Sequence, residues 1–152
     1  MHGATHLTTG LAAGFIAGVG MGETDPLTLA VCTGLGGIGG LIPDWLQINI
    51  PGASKQLKGT FGHRGFSHWV WTALICAFAL DSFLGSPRIV SRAFLGGWVC
   101  HILLDALAGG APAFWPFGQL RIARIKTGSD MDKAFGGAGI VLLAVTFIKF
   151  IL

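Results

Sequence analysis

A histidine and an aspartate four residues apart, His101 and Asp105, carry the chemistry that this sequence suggests most directly. On a helix this spacing places the two side chains one above the other on the same face. The flanking residues are apolar, and an ionisable pair in such a segment is costly unless it has partners. The pair therefore indicates either two ligands for a metal ion or a His–Asp hydrogen bond that helps helices to pack.

Two more ionisable residues stand at the ends of apolar segments. His6 precedes the first apolar segment and shares its four-residue spacing with glycines at positions 10, 14, 18 and 22. Because small residues let helix backbones approach closely, we expect His6 to lie on the packing face. Asp44 follows Pro43, which can kink or end a helix, and an acid at this depth needs a partner.

A third element, with the sequence His-Arg-Gly-Phe-Ser-His at positions 63–68, comes directly before an apolar segment. Serine is a preferred N-cap residue, so we expect Ser67 to cap the helix that follows. This capping would place His68 in the first helical turn, and it would leave His63 and Arg64 in the preceding loop.

The composition is that of a membrane protein. The chain has 152 residues, of which 52% are hydrophobic and only 11% charged, whereas soluble domains average about 25% charged residues. Its 25 glycines and lack of tyrosine fit closely packed membrane helices. The three cysteines lie in apolar segments without a CxxC pair, so no disulfide framework is expected. The length predicts a single domain, residues 1–152.

Five apolar segments predict an all-α polytopic membrane helix bundle with about four or five transmembrane helices. The segments are residues 7–21, 27–42, 69–84, 93–107 and 136–152. Each is shorter than the roughly 20 residues that a span usually needs, so one of them could insert only halfway. Between the last two segments, residues 110–133 predict a long irregular loop, whose aromatic run at 114–117 suits the membrane–water boundary.

With five spans, the loops divide the basic residues unequally between the two sides. One side holds the N-terminus and seven basic residues: Lys55, Lys58, Arg64, Arg121, Arg124, Lys126 and Lys133. The other side holds three: Arg88, Arg92 and Lys149. The positive-inside rule makes the first side, and the N-terminus, cytoplasmic.

The same topology places the candidate ligands in one layer near the cytoplasmic face. They lie where the first and third helices begin and where the second and fourth end. Such clustering of ionisable groups is typical of functional sites. The predicted metal ligands are His6, Asp44, His68, His101 and Asp105.

Several of these elements together resemble a known family, the predicted inner-membrane, metal-dependent hydrolases of the YdjM type. They are Thr5-His6-Leu7, Leu41-Ile42-Pro43-Asp44, the 63–68 element, His101-Ile102-Leu103-Leu104-Asp105 and Trp115-Pro116-Phe117. The resemblance covers nearly the whole chain and implies a helical, membrane-bound hydrolase. The family is also thought to be distantly similar to zinc-dependent phospholipase C and P1-type nucleases, which cleave phosphodiesters at clustered zinc ions.

Two positions depart from the family pattern. Leu46 stands where the family often has a second aspartate, two residues after the position of Asp44. The family also tends to carry a glutamate shortly after a Gly-Ser pair, and here the nearest acids after that pair are Asp130 and Asp132.

The preferred interpretation is a hydrolase at the cytoplasmic face of a prokaryotic-type inner membrane, acting on a phosphoester or phospholipid. Neutral histidines with carboxylates suit Zn²⁺ first and Mn²⁺ second, and zinc lowers the pKa of a bound water to about 7. His68, His101 and Asp105 would bind the first metal, and His6 a second metal bridged by Asp105. The predicted catalytic residues are Asp44 as fourth ligand or base, His63 as proton donor or orienting group, and Arg64 as a phosphate ligand.

Arg121 and Arg124 could also hold a phosphate, although their charge is explained as well by membrane topology alone. Two alternatives to the hydrolase stay open, a metal-ion transporter and a non-catalytic protein whose metal only joins its helices. The expected partner is the lipid bilayer, and no nucleic-acid partner is expected.

Overall fold

The computed structural model describes residues 1–46, 54, 60–62, 64–83 and 88–151. Within them run five bounded helices: α1 Gly3–Gly20, α2 Pro26–Trp45, α3 Val70–Phe83, α4 Arg88–Leu107 and α5 Asp130–Ile151. A 3₁₀ turn at Phe66–His68 precedes α3. The extended pairing among these residues is a single antiparallel bridge between Ala111 and Leu120. The predicted all-α class is therefore confirmed for the part of the chain that the structure describes.

Three of these helices are long and apolar enough to cross a membrane. They are α2, α4 and α5, the last over Asp130–Phe150, while α3 is apolar but shorter. These helices fit a membrane protein. The predicted count of four or five spans remains a prediction.

The predicted helix boundaries are wrong at several ends, because polar residues extend the helices beyond their apolar runs. Helix α4 begins at Arg88 instead of residue 93, so that Arg88 and Arg92 are helical and not in a loop. Helix α5 begins at Asp130, six residues before the predicted start, with Asp130 and Asp132 in its first turn. Acids there interact favourably with the positive end of the helix dipole.

Helix α2 continues through Pro43 to Trp45, so it does not end before Asp44. Pro43 lies near the last turn, and the next turn is closed by the amide of Leu46, which donates to the carbonyl of Ile42 at 2.9 Å. At the other end, the Asp25 carboxylate caps the helix by accepting from the amide and hydroxyl of Thr28 at 2.8 and 2.7 Å. These bonds lower the pKa of Asp25.

Glycines bring α1, α2 and α4 into close contact. A Cβ atom on Gly10 would lie 2.5 Å from the carbonyl oxygen of Gly36, and one on Gly97 would overlap that same oxygen. The predicted packing stripe on α1 is thus present, although Gly22 lies beyond the helix in a turn with φ +81°. The buried side chains beside this contact form a core around Phe94, Trp98, Ala73, Ile102, Ala111 and Ala113.

Gly97→Ala is expected to lower the free energy of unfolding by about 1–3 kcal/mol, the usual cost of overpacking. The added methyl group meets the backbone of α2, which cannot move aside as a flexible side chain can. Gly34→Ala is the matched control, because a Cβ atom there has no neighbour within 4 Å. Thermal unfolding in detergent measures both variants. Equal melting temperatures would contradict the close contact.

Candidate metal centre

His101 and Asp105 lie one turn apart on the face of α4 that packs against α1 and α2. They are 0% and 2% exposed. His101 Nδ1 is 2.7 Å from the carbonyl oxygen of Gly40. A carbonyl oxygen can only accept, so Nδ1 carries the proton and Nε2 of the neutral ring presents its lone pair. This is the orientation in which a histidine supported by the backbone binds a metal.

His68 reaches the same point from the 3₁₀ turn. The prediction that Ser67 caps α3 and that His68 lies in its first turn is wrong, because α3 begins at Val70. The Ser67 carbonyl accepts from the indole of Trp98 at 2.8 Å, and the amide of Val70 donates to Ala113 at 2.9 Å. These bonds to distant parts of the chain hold the turn. The Ser67 hydroxyl instead lies 3.1 Å from His68 Nδ1, which leaves Nε2 facing His101.

Five side chains form a cluster: His6, Asp44, His68, His101 and Asp105. Donor atoms of His68, His101 and Asp105 lie at separations that suit one small ion. His68 Nε2 is 3.1 Å from His101 Nε2 and 3.3 Å from Asp105 Oδ2, and His101 Nε2 is 3.9 Å from Asp105 Oδ2. Asp44 Oδ1 is 3.7 Å from each of the two histidine nitrogens. Tetrahedral bonds of about 2.0–2.1 Å would place ligand atoms about 3.3–3.4 Å apart. His68, His101 and Asp105 therefore form one group that fits a zinc-sized divalent ion, and Asp44 lies beside its two histidine nitrogens.

His6 lies against the ring of His101. Its ring stacks on that of His101 with centroids 3.9 Å apart, and its Nε2 is 3.5 Å from Asp105 Oδ1. Both ring nitrogens of His6 are buried without a hydrogen-bond partner in the described structure. His6, Asp44 and His101 form a second group of possible ligands. Since Nδ1 of His101 is engaged and its Nε2 can bind only one ion, a second ion would depend on His6 and a shared carboxylate.

Two cationic groups complete the surroundings of Asp105. Arg64 Nε donates to Oδ2 at 2.9 Å, and the amino group of Met1 donates to Oδ1 at 3.1 Å. Arg64 has φ +59°, an uncommon backbone conformation for a non-glycine residue. Its side chain is 30% exposed, so the guanidinium lies at the rim of the cluster. Nothing in the residue pattern predicted the contact made by Met1.

The other predicted phosphate ligands do not contact the cluster. Arg121 Nε donates to the carbonyl of Gly109 at 2.8 Å, and both Arg121 and Arg124 are exposed. Their loop is fixed to the end of α4 by backbone bonds, including one of 3.0 Å from Ile122 to Ala106. His63, the predicted proton donor, lies outside the described residues.

Asp132 is a residue that sequence reasoning missed. Its carboxylate is buried and accepts from the Thr5 hydroxyl at 2.8 Å, the His2 amide at 3.0 Å and the Gly128 amide at 2.7 Å. Asp132 therefore joins the start of α5 to the start of α1 at Thr5, the residue before His6. The sequence signal for Asp132 is its position shortly after the Gly-Ser pair at 128–129. That position was interpreted only as a departure from the family pattern.

Asp132→Ala is expected to lower the free energy of unfolding by about 1–3 kcal/mol, because it removes the acceptor of the buried Thr5 hydroxyl and of two part-buried amides. Asp130→Ala is the matched control, since that side chain is fully exposed and its ion pair, within the described part of the chain, is with Lys133 at 3.3 Å. Its expected effect is smaller, because it removes only exposed interactions with Lys133 and with the helix dipole. Chemical denaturation in detergent measures both, and an unchanged Asp132→Ala variant would argue against the connection between α1 and α5.

Helices that fit a membrane and an inward cluster of histidines and aspartates define this chain as a helical membrane protein with a possible metal centre. A family model described as YdjM inner membrane protein matches residues 1–151, so the chain belongs to that family. It is also similar to the uncharacterized protein YvsG of Bacillus subtilis (strain 168). The two are 32% identical over 112 residues, which cover 70% of this chain and 67% of that protein. No solved structure matches the chain.

Proposed function

We propose that this protein is a membrane-bound, metal-dependent hydrolase whose active site is the cluster around Asp105. The observation that carries the proposal is the set of donor atoms from His68, His101 and Asp105, with Asp44 beside the two histidines. The three donor atoms lie 3.1–3.9 Å apart, and Asp44 Oδ1 lies 3.7 Å from each histidine nitrogen. Hydrogen bonding to Gly40 sets the tautomer of His101 that a metal requires.

The roles follow from burial. His68, His101 and Asp105 are buried and would hold a divalent ion, with Zn²⁺ the first choice and Mn²⁺ the second. Such an ion, when bound, supplies a nucleophile from water at neutral pH. The Asp44 side chain is 30% exposed, so it can face both the cluster and an incoming substrate as a general base. Arg64 at the rim can donate to a phosphate.

The proposed substrate is a phospholipid or another amphipathic phosphoester that approaches from the cytoplasmic side. The loop next to the end of α4 carries Phe114, Trp115 and Phe117, which are 47%, 50% and 84% exposed. Aromatic residues of this kind are enriched at headgroup depth. We further propose four or five spans with the N-terminus in the cytoplasm, from the unequal distribution of basic residues.

The test is hydrolysis by purified protein in lipid, assayed against a panel of phospholipids and a chromogenic phosphodiester. The expected result is activity that a chelator removes and added Zn²⁺ restores. A folded, metal-loaded protein that is inert across the panel would contradict the hydrolase and favour a metal that only joins the helices. That second candidate is supported by burial, because three of the four donor side chains are at most 3% exposed.

The orientation is tested on sealed vesicles of both polarities that contain the active protein. A membrane-impermeant chelator should stop hydrolysis in inside-out vesicles and leave it intact in right-side-out vesicles. Permeabilised vesicles serve as the control, since the chelator then reaches both faces. Inhibition of right-side-out vesicles alone would contradict a cytoplasmic site.

A further inference from the structure

A groove separate from the metal cluster runs between α1, α4 and α5. It encloses about 670 Å³, and its walls are mainly small and apolar side chains. Ala13 and Ala17 of α1, Gly96 and Val99 of α4, and Leu142 of α5 line it. Thr9 and Cys100 add a hydroxyl and a thiol to this lining, and Arg92 is its charged side chain. The groove therefore combines an apolar lining with one cationic side chain.

Most N–H donors of the Arg92 guanidinium have no acceptor among the described residues. Among the described residues, its hydrogen bond is to the sulfur of Met21 at 3.6 Å, and the side chain is exposed. A thioether is a weak acceptor, whereas a guanidinium carries five N–H donors in a planar fork. Arg88 lies one turn earlier on α4 and is also exposed. This end of the groove is thus suited to an anionic group with several oxygen atoms.

A hydrocarbon chain alone gains little free energy by moving from the bilayer into such a groove. In a bilayer, lipid tails are as apolar as the side chains, so no hydrophobic force favours one over the other. A charged, bidentate contact to a phosphate does provide a preference, because guanidinium and phosphate match in geometry. The groove extends along α4 from Arg92 to Cys100, eight residues or about 12 Å. That length accommodates much of one acyl chain.

We propose that this groove binds one membrane phospholipid, with its phosphate on Arg92 and an acyl chain along the glycine and alanine wall. Arg92 lies nine residues before His101, about 13–14 Å along the helix axis. The phosphate is therefore held away from the metal cluster. The bound lipid fills the space between α1, α4 and α5 and does not depend on the proposed hydrolase activity.

Gly96 lines the groove, so a larger side chain at this position would obstruct the groove. A Cβ atom there would meet nothing closer than the Ala13 carbonyl oxygen, at 3.7 Å, which is ordinary van der Waals contact. A side chain at position 96 therefore begins without a clash against the backbone, and Gly96→Leu is expected to fill the groove. Gly34→Leu is the matched control, since a Cβ atom at Gly34 has no neighbour within 4 Å and the residue lies outside the groove.

The experiment is native mass spectrometry of delipidated protein in detergent, titrated with dioleoyl phosphatidylglycerol or with dioleoylglycerol, which lacks the phosphate. We expect one phosphatidylglycerol adduct per chain, and binding of dioleoylglycerol weaker by about tenfold or more. Gly96→Leu and Arg92→Gln should each weaken phosphatidylglycerol binding by a similar factor. Gly34→Leu and the charge-matched control Arg124→Gln should bind as the wild type does.

Circular dichroism and gel filtration establish that each variant is folded before binding is compared. Because Arg92 is exposed, Arg92→Gln tests the phosphate contact even if Gly96→Leu fails to fold. Three results would overturn the proposal: equal binding of the two lipids, wild-type binding by folded Gly96→Leu or Arg92→Gln, or a second copy of the chain occupying the groove. The last would appear as a lipid-free dimer that Gly96→Leu dissociates.

Discussion

Asp105→Asn is expected to weaken binding of a divalent metal by more than about 100-fold, because even changes in the outer-shell partners of metal ligands cost 10–100-fold. Asparagine keeps the shape of the side chain but removes its charge and replaces one oxygen by a donor. Asp105 Oδ2 lies 3.3 and 3.9 Å from the Nε2 atoms of His68 and His101, so the substitution removes an acceptor from the centre of the ligand set. Hydrolysis should be lost with the metal.

Elemental analysis and a metal titration of purified protein measure this loss. His101→Ala is the companion variant, since it removes a second ligand from the same helix, and Asp130→Asn is the control at an exposed acid outside the cluster. Asp130→Asn should retain its metal. Full metal retention in both Asp105→Asn and His101→Ala would mean that the pair is a packing hydrogen bond, the simpler of the two interpretations of its spacing.

Helical periodicity made much of the cluster predictable from sequence. The four-residue spacing of His101 and Asp105 puts them on one face, and Gly97 on the same face allows α2 to approach. The equal spacing of His6 and the glycines of α1 likewise directs His6 inward, where it stacks on His101. Periodic, local patterns of this kind predict which face of a helix is packed, without information about the element that packs against it. The ligand roles of these residues remain predictions.

The features that could not be predicted depend on contacts between residues far apart in the chain. The turn that carries His68 is held by Trp98, which lies 31 residues from its acceptor Ser67, and by Ala113. Asp132 accepts from Thr5 across 127 residues. Helix α2 extends past Pro43 because one missing hydrogen bond near a helix end is tolerated within the packed bundle. Local propensity carries no information about such partners, so the N-cap and loop predictions at these positions were wrong.

Substitution of Asp44 distinguishes a catalytic metal site from a metal site that only joins helices. Its Oδ1 lies 3.7 Å from each of the two histidine nitrogens, farther than these lie from each other, and its side chain is the most exposed of the four donors. Asp44→Asn keeps the size of the side chain and removes its basicity. His68, His101 and Asp105 should retain much of the metal, while hydrolysis falls by about 100-fold or more, the contribution of a general base.

The comparison requires metal content, melting temperature and hydrolysis rate for the wild type and Asp44→Asn under identical conditions. If Asp44 is a base, metal content and melting temperature change little while the hydrolysis rate falls. If the metal only joins the helices, the wild type hydrolyses nothing in the panel and Asp44→Asn shifts only the melting temperature. Loss of metal together with activity would instead make Asp44 the fourth ligand, because then its carboxylate is required to hold the ion that His68, His101 and Asp105 cannot hold alone.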